Sequence, residues 1–356
     1  MKKTWRILDT GLRRAAENIA LNRALLEARQ ADEAPCTLRF LRFTPSALLG
    51  FHQSADQELN LDYCHAQGVT IQRRITGGGA IYFDETQLGW ELYLHRSDLA
   101  GADMQAISQR ICTAAARGIQ ALGVDAQYRP RNDIEVDGRK ISGSGGAFDG
   151  DALLFQGTLL IQFDVEKMLR VLRIPAEKLS DKAIASARER VANLADVLGA
   201  APDLELVQQH LKAAFAAEFD VEFAVGELTT QEQARFELAL AEIDSADWVH
   251  LMQRPTADKP LLQAAIKFPA GLVQVCVRYD QVRDCIQQLW FSGDYFVSPR
   301  RTIADLEAYL RDSDARHVPQ NVAAFFAQRK VDMLGLRAED FSAVIAAALA
   351  QQAAVA

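Results

Sequence analysis

Residues 132–146 read NDIEVDGRKISGSGG and bring a lysine, acidic residues and a hydroxyl into one short stretch. Asp137-Gly138 is a favoured two-residue hairpin turn, and Ile134 and Val136 alternate with polar neighbours as a half-buried strand does. With that turn Val136 faces Arg139, Glu135 faces Lys140, Ile134 faces Ile141 and Asp133 faces Ser142. Side chains alternate across a strand, so Ile134, Val136 and Ile141 share one face. Asp133, Glu135, Lys140 and Ser142 share the other. Lys140 then stands on a stiff hairpin as a compact cation beside an acid and a hydroxyl. Taken alone, the same pattern also describes a solvated face with a Glu135–Lys140 ion pair.

A second stretch, Arg73-Arg74-Ile75-Thr76-Gly77-Gly78-Gly79, runs into the apolar Ala80-Ile81-Tyr82-Phe83. No serine or further glycine surrounds the triplet, so it is not a flexible linker. Consecutive glycines let backbone approach a ligand closely and let successive N–H groups turn inward as an anion nest. The two arginines add formal charge at the same spot. The alternative is a tight bend between strands.

The elements around these stretches follow from periodicity. A helix capped by Asp9 or Thr10 runs to about Arg29, with Leu12, Ala16, Ile19 and Leu26 inward. Strands are expected at 36–43 and 69–72. Leu88, Trp90, Leu92 and Leu94 mark a strand with one buried face, and 153–163 is a long apolar strand. Further helices are expected at 60–67, 103–122 (capped by Asp103), 164–172, 180–193, 204–219 and 230–243. The prolines at 255 and 260 flank a break, which divides the chain into 1–255 and 258–356. Beyond it, three strands at 261–268, 272–279 and 285–296 form a meander. Helices follow at 303–312, near 321–328 and at 338–354. The expected fold class is α+β: a mixed or antiparallel sheet with flanking helices, then a small α+β domain. Neither regular βαβ alternation nor GxGxxG is present, so a Rossmann domain is excluded.

The chain has 356 residues and a net charge of −8, which argues against a nucleic-acid or anionic-membrane binder. Its five cysteines, Cys36, Cys64, Cys112, Cys276 and Cys285, are widely spaced and never CxxC, so neither a disulfide framework nor a zinc knuckle is expected. No signal-peptide core or membrane-length apolar run occurs, and the cytoplasm is the expected location.

The Arg73–Ala80 stretch, Asn132-Asp133-Ile134 through Gly138-Arg139-Lys140-Ile141-Ser142-Gly143-Ser144, and Gln156-Gly157-Thr158-Leu159-Leu160 together resemble the lipoate–protein ligase family of the biotin/lipoate ligase superfamily. Order and separations fit. Glu17-Asn18-Ile19-Ala20-Leu21 is similar to the family's opening, and Arg188 through Asn193-Leu194 to a further segment. The resemblance covers roughly 5–255, and the rest looks like the accessory domain many such ligases carry. It implies that ATP and lipoate form lipoyl-AMP and pyrophosphate, after which the acyl group passes to a carrier lysine. Octanoate is an alternative acid. The carrier would be an apo lipoyl domain of an E2 subunit, the glycine-cleavage H protein or a related lipoate-binding protein. Lys140 would bridge carboxylate and α-phosphate. Arg74, Thr76, Gly77, Gly78, Gly79, Tyr82, Asn132, Ser142, Gly143, Gln156, Gly157 and Thr158 would hold substrate and adenylate, with Arg74 near the carboxylate or phosphate. Asp133 would hold Mg²⁺. Phe83, Gln87 and Gln156 depart from residues common in the family.

Two rival readings remain. One is an octanoyl or lipoyl transferase working through a cysteine acyl-enzyme, which needs a thiol near the hairpin lysine. No cysteine lies between Cys112 and Cys276 in the sequence. The other is a non-catalytic carrier-binding module.

Overall fold

In a computed structural model the chain is described over residues 2–99, 101–130, 132–173, 187–252 and 261–351. The strands that matter for the site are β1 (Lys3–Arg13), β2 (Thr37–Phe43), β3 (Ser46–Leu49), β4 (Thr70–Arg73), β5 (Ile81–Phe83), β6 (Gln87–His95), β7 (Ala126–Arg129), β8 (Asp133–Val136), β9 (Arg139–Asp149), β10 (Ala152–Leu160) and β11 (Val221–Val225). Eight of them form one sheet in the order β11-β1-β2-β6-β10-β9-β8-β7. β1 runs parallel to both β11 and β2, and every later pairing is antiparallel, so the sheet is mixed as expected.

Alternation along β6 and β10 explains the layers. Trp90, Leu92, Leu153 and Phe155 belong to a core shared with helices Met104–Gln120 and Leu204–Phe219. Leu41, Tyr93 and Leu154 belong to a core on the opposite side, with helices Ala15–Gln30 and Thr230–Ile243. β6 is therefore buried on both faces, where one had been expected. Asp103 caps its helix by accepting from the Ala106 amide.

The N-terminus departs from expectation. Residues up to Arg13 form β1, and the helix begins only at Ala15. Glu17 accepts from the Arg14 amide at 3.0 Å and completes that start. Leu12, expected inward, is exposed. The strand pairs with β11, about two hundred positions later, which no local pattern reports. β11 itself lies between the expected helices at 204–219 and 230–243, where no strand was expected.

β3, β4 and β5 make a small separate sheet in the order β4-β3-β5. Past residue 261 come β12 (Leu262–Phe268), β13 (Gly271–Asp280) and β14 (Cys285–Gly293), the expected meander. Helices Thr302–Tyr309, Val318–Ala327 and Ala338–Leu349 follow, and this segment encloses a core of its own. The expected boundary at 255–260, residues 180–186 of the expected helix at 180–193 and the last residues of the helix at 338–354 lie outside the described residues; at 187–193 the expected helix is absent past residue 188, and Val191 instead bridges to Lys140. No described helix is long and apolar enough to cross a membrane.

Arg6 on β1 is buried against Glu232, at the start of helix Thr230–Ile243. One Glu232 oxygen accepts from Arg6 at 2.6 Å and from the Thr229 amide at 2.7 Å. Removing one partner of such a pair strands the other charge. Glu232→Ala is expected to lower unfolding free energy by about 3–5 kcal/mol in urea melts; a loss under about 1 kcal/mol would contradict the pairing.

Candidate functional site

The hairpin forms at Asp137-Gly138, both with positive φ (50° and 73°), as a two-residue turn of this hand requires. Val136 faces Arg139 and Glu135 faces Lys140, as the turn dictates. The register then slips by one. Ile134 pairs with Ser142 and Asp133 with Gly143, so Ile141 is an extra residue on β9. The bulge overturns part of the expected face. Ser142 comes opposite the core residue Ile134 and is itself buried away from the cavity described below. Its hydroxyl has no partner among the described residues.

Lys140 still reaches Asp133, with Nζ 2.8 Å from Oδ1. The side chain passes over Gly143, where a Cβ would stand 2.7 Å from Nζ. Arg129 donates to Asp133 Oδ2 at 2.7 Å and to Glu135 at 3.2 Å. The expected alternative, a Glu135–Lys140 pair, is therefore not what forms. Lys140 is fixed from its backbone too: its amide donates to Arg190 O at 2.9 Å, and its carbonyl accepts from the Ala192 amide at 2.8 Å.

The arginine-glycine loop differs in detail from the anion nest expected. Arg74 is buried and donates to the carbonyls of Leu48 (2.8 Å), Gly77 (3.0 Å) and Gly79 (2.9 Å). It holds the loop's shape and lines the cavity, with a backbone role the sequence did not reveal. Arg73 donates to the carbonyls of Gly50, Phe51, Gln53, Trp248 and Val249. Burial pulls both guanidiniums down to about 10, so both stay charged at neutral pH. Neither has a carboxylate partner among the described residues, which leaves positive charge beside the cavity. The Gly78 amide is engaged, donating to Tyr295 O at 3.2 Å. Gly78 has φ +92°, and a Cβ there would meet the Phe296 ring at 2.7 Å; one on Gly145 would meet it at 2.8 Å. The close approach that the glycines permit is thus to the 293–298 segment, whose Ser298 also donates to Phe148 O at 2.8 Å.

These parts surround a cavity of about 450 Å³. Lys140, Asn132, Gly143, Gly145, Arg74, Thr76, the glycine triplet, Tyr82, Gln156, Gly157 and Thr158 all line it. Gln156 donates to Thr76 Oγ1 at 3.2 Å. Thr158 Oγ1 lies 3.4 Å from the Gly143 amide. The Asn132 side chain donates to Ser144 O, and the Asn132 backbone carbonyl accepts from Ser144 Oγ at 2.8 Å, fixing β9 beside Lys140. Gly157 is required by Trp90, whose ring would stand 2.1 Å from a Cβ. Lys267, Asp294 and Phe296 close the cavity from the C-terminal segment, and Asn22 and Glu91 line it from within the first 255 residues. Sequence reasoning missed all five, because no local motif marks them.

Asp133, expected to hold Mg²⁺, accepts from Lys140 at Oδ1 and from Arg129 at Oδ2, so it would have to exchange one of these partners to hold the ion.

The fold brings Cys112 to β9, 3.1 Å from Ser144 Oγ, a proximity that sequence separation concealed. Its thiol is buried, and desolvation pushes it up to about 11, far from a thiolate at neutral pH. All five cysteines are buried, and none lines the cavity among the described residues.

Residues 14–216 match the family model described as the lipoyl protein ligase A/B catalytic domain. The chain is 29% identical to lipoate-protein ligase A subunit 1 of Thermoplasma acidophilum, over 61% of this chain and 84% of that protein. It is 26% identical to an octanoyltransferase, LipM, of Moorella thermoacetica, over 69% of this chain and 98% of that protein. Among solved structures, a bipartite lipoate protein ligase with its E2 lipoyl domain from T. acidophilum has a TM-score of 0.62 at 26% identity, covering 72% of this chain and 99% of that one. A lipoate-protein ligase A bound with ATP has a TM-score of 0.62 at 25% identity, covering 71% and 100%. P. falciparum LipL1 in complex with lipoate has a TM-score of 0.69 over 92% of this chain and 95% of that one; at 16% identity it speaks to fold alone.

Gly78→Val would press a branched side chain against Phe296 and strain a positive φ. It is expected to cost about 1–3 kcal/mol, part of which Phe296→Ala restores in the double variant. Strict additivity in denaturant melts would show that the two residues do not meet.

Proposed function

We propose that this chain, which belongs to the lipoyl protein ligase A/B catalytic-domain family, is an ATP-dependent lipoate–protein ligase acting on an apo lipoyl carrier domain. The observation that carries this reading is a cavity lined by Lys140, Arg74 and the glycine triplet but by no thiol among the described residues. A cysteine acyl-enzyme needs an accessible, activated sulfur. The octanoyltransferase relatives keep that alternative in view, but the buried, protonated Cys112 speaks against it here.

In the first step a carboxylate oxygen of lipoate attacks the α-phosphorus of ATP, and pyrophosphate leaves. Two anions must meet, and Lys140 draws both together while the charge of Arg74 and Arg73 lowers the cost. Asp133 orients the ammonium without entering the reaction. In the second step the neutral ε-amine of the carrier lysine attacks the acyl carbonyl. The amide forms, AMP leaves with the bridging oxygen, and the amine's proton passes to solvent. We assign residues 1–255 to this chemistry and 258–356 to a domain that covers the cavity through Phe296 and Lys267. The carrier is an E2 lipoyl domain, an H protein or a related lipoate-binding protein, in the cytoplasm.

Lys140→Ala is expected to fold normally by circular dichroism and to lose lipoate-dependent ATP–pyrophosphate exchange by about 10²–10³-fold, with little rescue by Lys140→Arg. Cys112→Ser should retain exchange and transfer. Near-normal exchange by the alanine variant, or transfer abolished by the serine one, would sink the assignment.

A further inference from the structure

A second cavity, of about 500 Å³, shares no lining residue with the main one. Phe51, His52 and Trp248 wall it from the first 252 residues, and Trp290, Phe291 and Arg300 wall it from the C-terminal segment. A ring stack stands between the two cavities. His52 lies against Tyr295 with ring centroids 5.0 Å apart, and Tyr295 O accepts from the amide of Gly78, which lines the main cavity. The activation and transfer steps above engage none of the second cavity's residues.

Its walls are aromatic, with Phe51 and Trp248 meeting edge to face at 6.1 Å. Such faces suit a flat apolar body. Three guanidiniums also reach the walls, and their hydrogen bonds separate them. Arg23 donates to Glu27 at 2.8 Å and to Glu242 at 2.6 Å. Arg301 donates to Asp305 at 2.9 Å. Arg300 lies 5.5 Å from the centroid of the Phe51 ring and has no hydrogen-bond acceptor among the described residues. Asp149, Glu27 and Glu242 act on it only at a distance. Burial pulls its guanidinium down, yet an arginine keeps its charge at neutral pH.

The remaining titratable groups do not cancel that charge. Glu242 is engaged by Arg23. Glu307 accepts from the Phe291 amide at 2.6 Å, and burial pushes it up to about 7, so it is largely relieved of charge at neutral pH and below. His52 is pushed down to about 3 by burial and by the charges of Arg73 and Arg300, so it is neutral. The cavity therefore presents one cation with unused donors beside aromatic faces. We infer that it is a second ligand site, and that it takes a small organic anion with a flat apolar body. The carboxylate pairs with the planar fork of Arg300, and the rings lie against Phe51, Trp248 and Trp290. A neutral molecule of the same shape keeps the aromatic contact but leaves the donors of Arg300 unused.

The test uses the full chain without ATP or lipoate. The probe is 2-naphthoate, and 2-naphthamide is its neutral counterpart of the same shape. Calorimetric titration is expected to give the acid a dissociation constant below about 1 mM, about tenfold or more tighter than the amide. Arg300→Gln should erase that preference. Lys140→Ala should leave it intact, because Lys140 lies in the other cavity. Ala304→Phe, at an exposed helix position on the cavity wall, should block both probes without removing a packed group. Circular dichroism checks each fold. The binding readout does not depend on pyrophosphate exchange, so this site and the activation reading can fail separately. No binding by the wild type, equal affinity for acid and amide, or a preference lost in Lys140→Ala and kept in Arg300→Gln would overturn the site. Should Arg300→Gln fail to fold, undiminished binding by Ala304→Phe overturns it instead.

Discussion

Two guanidiniums buried without carboxylate partners among the described residues set the terms for this site. Arg73 and Arg74 spend their donors on backbone carbonyls, from 48 to 53, at 77 and 79, and at 248 and 249. The carbonyls of Gly50, Phe51, Gln53, Gly77 and Gly79 lie in loops outside the strands, and a buried carbonyl without a donor is costly. The arginines therefore fix the loops around the cavity. Because they do so through neutral partners, their charge is not cancelled. A desolvated cation that keeps its charge is a standing attraction for an anionic ligand, and the cavity lies beside it.

Lys140 is placed by a different device. An Asp-Gly turn sets the hairpin, a one-residue bulge redirects β9, and Gly143 leaves room for the ammonium to lie back toward Asp133. The bulge decides which groups meet. Without it Ser142 would have joined Lys140 on the polar face; with it, Ser142 faces the core and Asp133 holds the Lys140 ammonium. Arg129 takes up Glu135, which frees Lys140 from the surface pairing that the pattern also allowed. The C-terminal segment completes the enclosure, with Tyr295 O on the Gly78 amide and Phe296 against the glycines.

Much of this was legible in the sequence where the signal is local. The Asp137-Gly138 turn, the Asp103 cap and the helices Leu204–Phe219 and Thr230–Ile243 follow from turn chemistry and periodicity. Of the site residues expected from three motifs in order, all but Ser142 and Asp133 line the cavity. What escaped depends on distant partners. β1 exists because β2 and β11 pair with it, and its own pattern fits a helix start equally well. The bulge is a property of two strands together. Cys112 meets Ser144 through helix packing, and Phe296 meets Gly78 across more than two hundred residues. The buried Glu91 and Asn22 look like ordinary strand and helix positions until their neighbours are known.

The central claim is that the acid is activated as an adenylate and transferred from it. The most direct measurement uses lipoate labelled in its carboxylate with heavy oxygen, together with ATP and an apo lipoyl domain. Mass spectrometry then reads both products of a complete transfer. Activation through lipoyl-AMP predicts one heavy oxygen in each AMP released, in step with each carrier modified. A modified carrier accompanied by unlabelled AMP, or by no AMP, would contradict it.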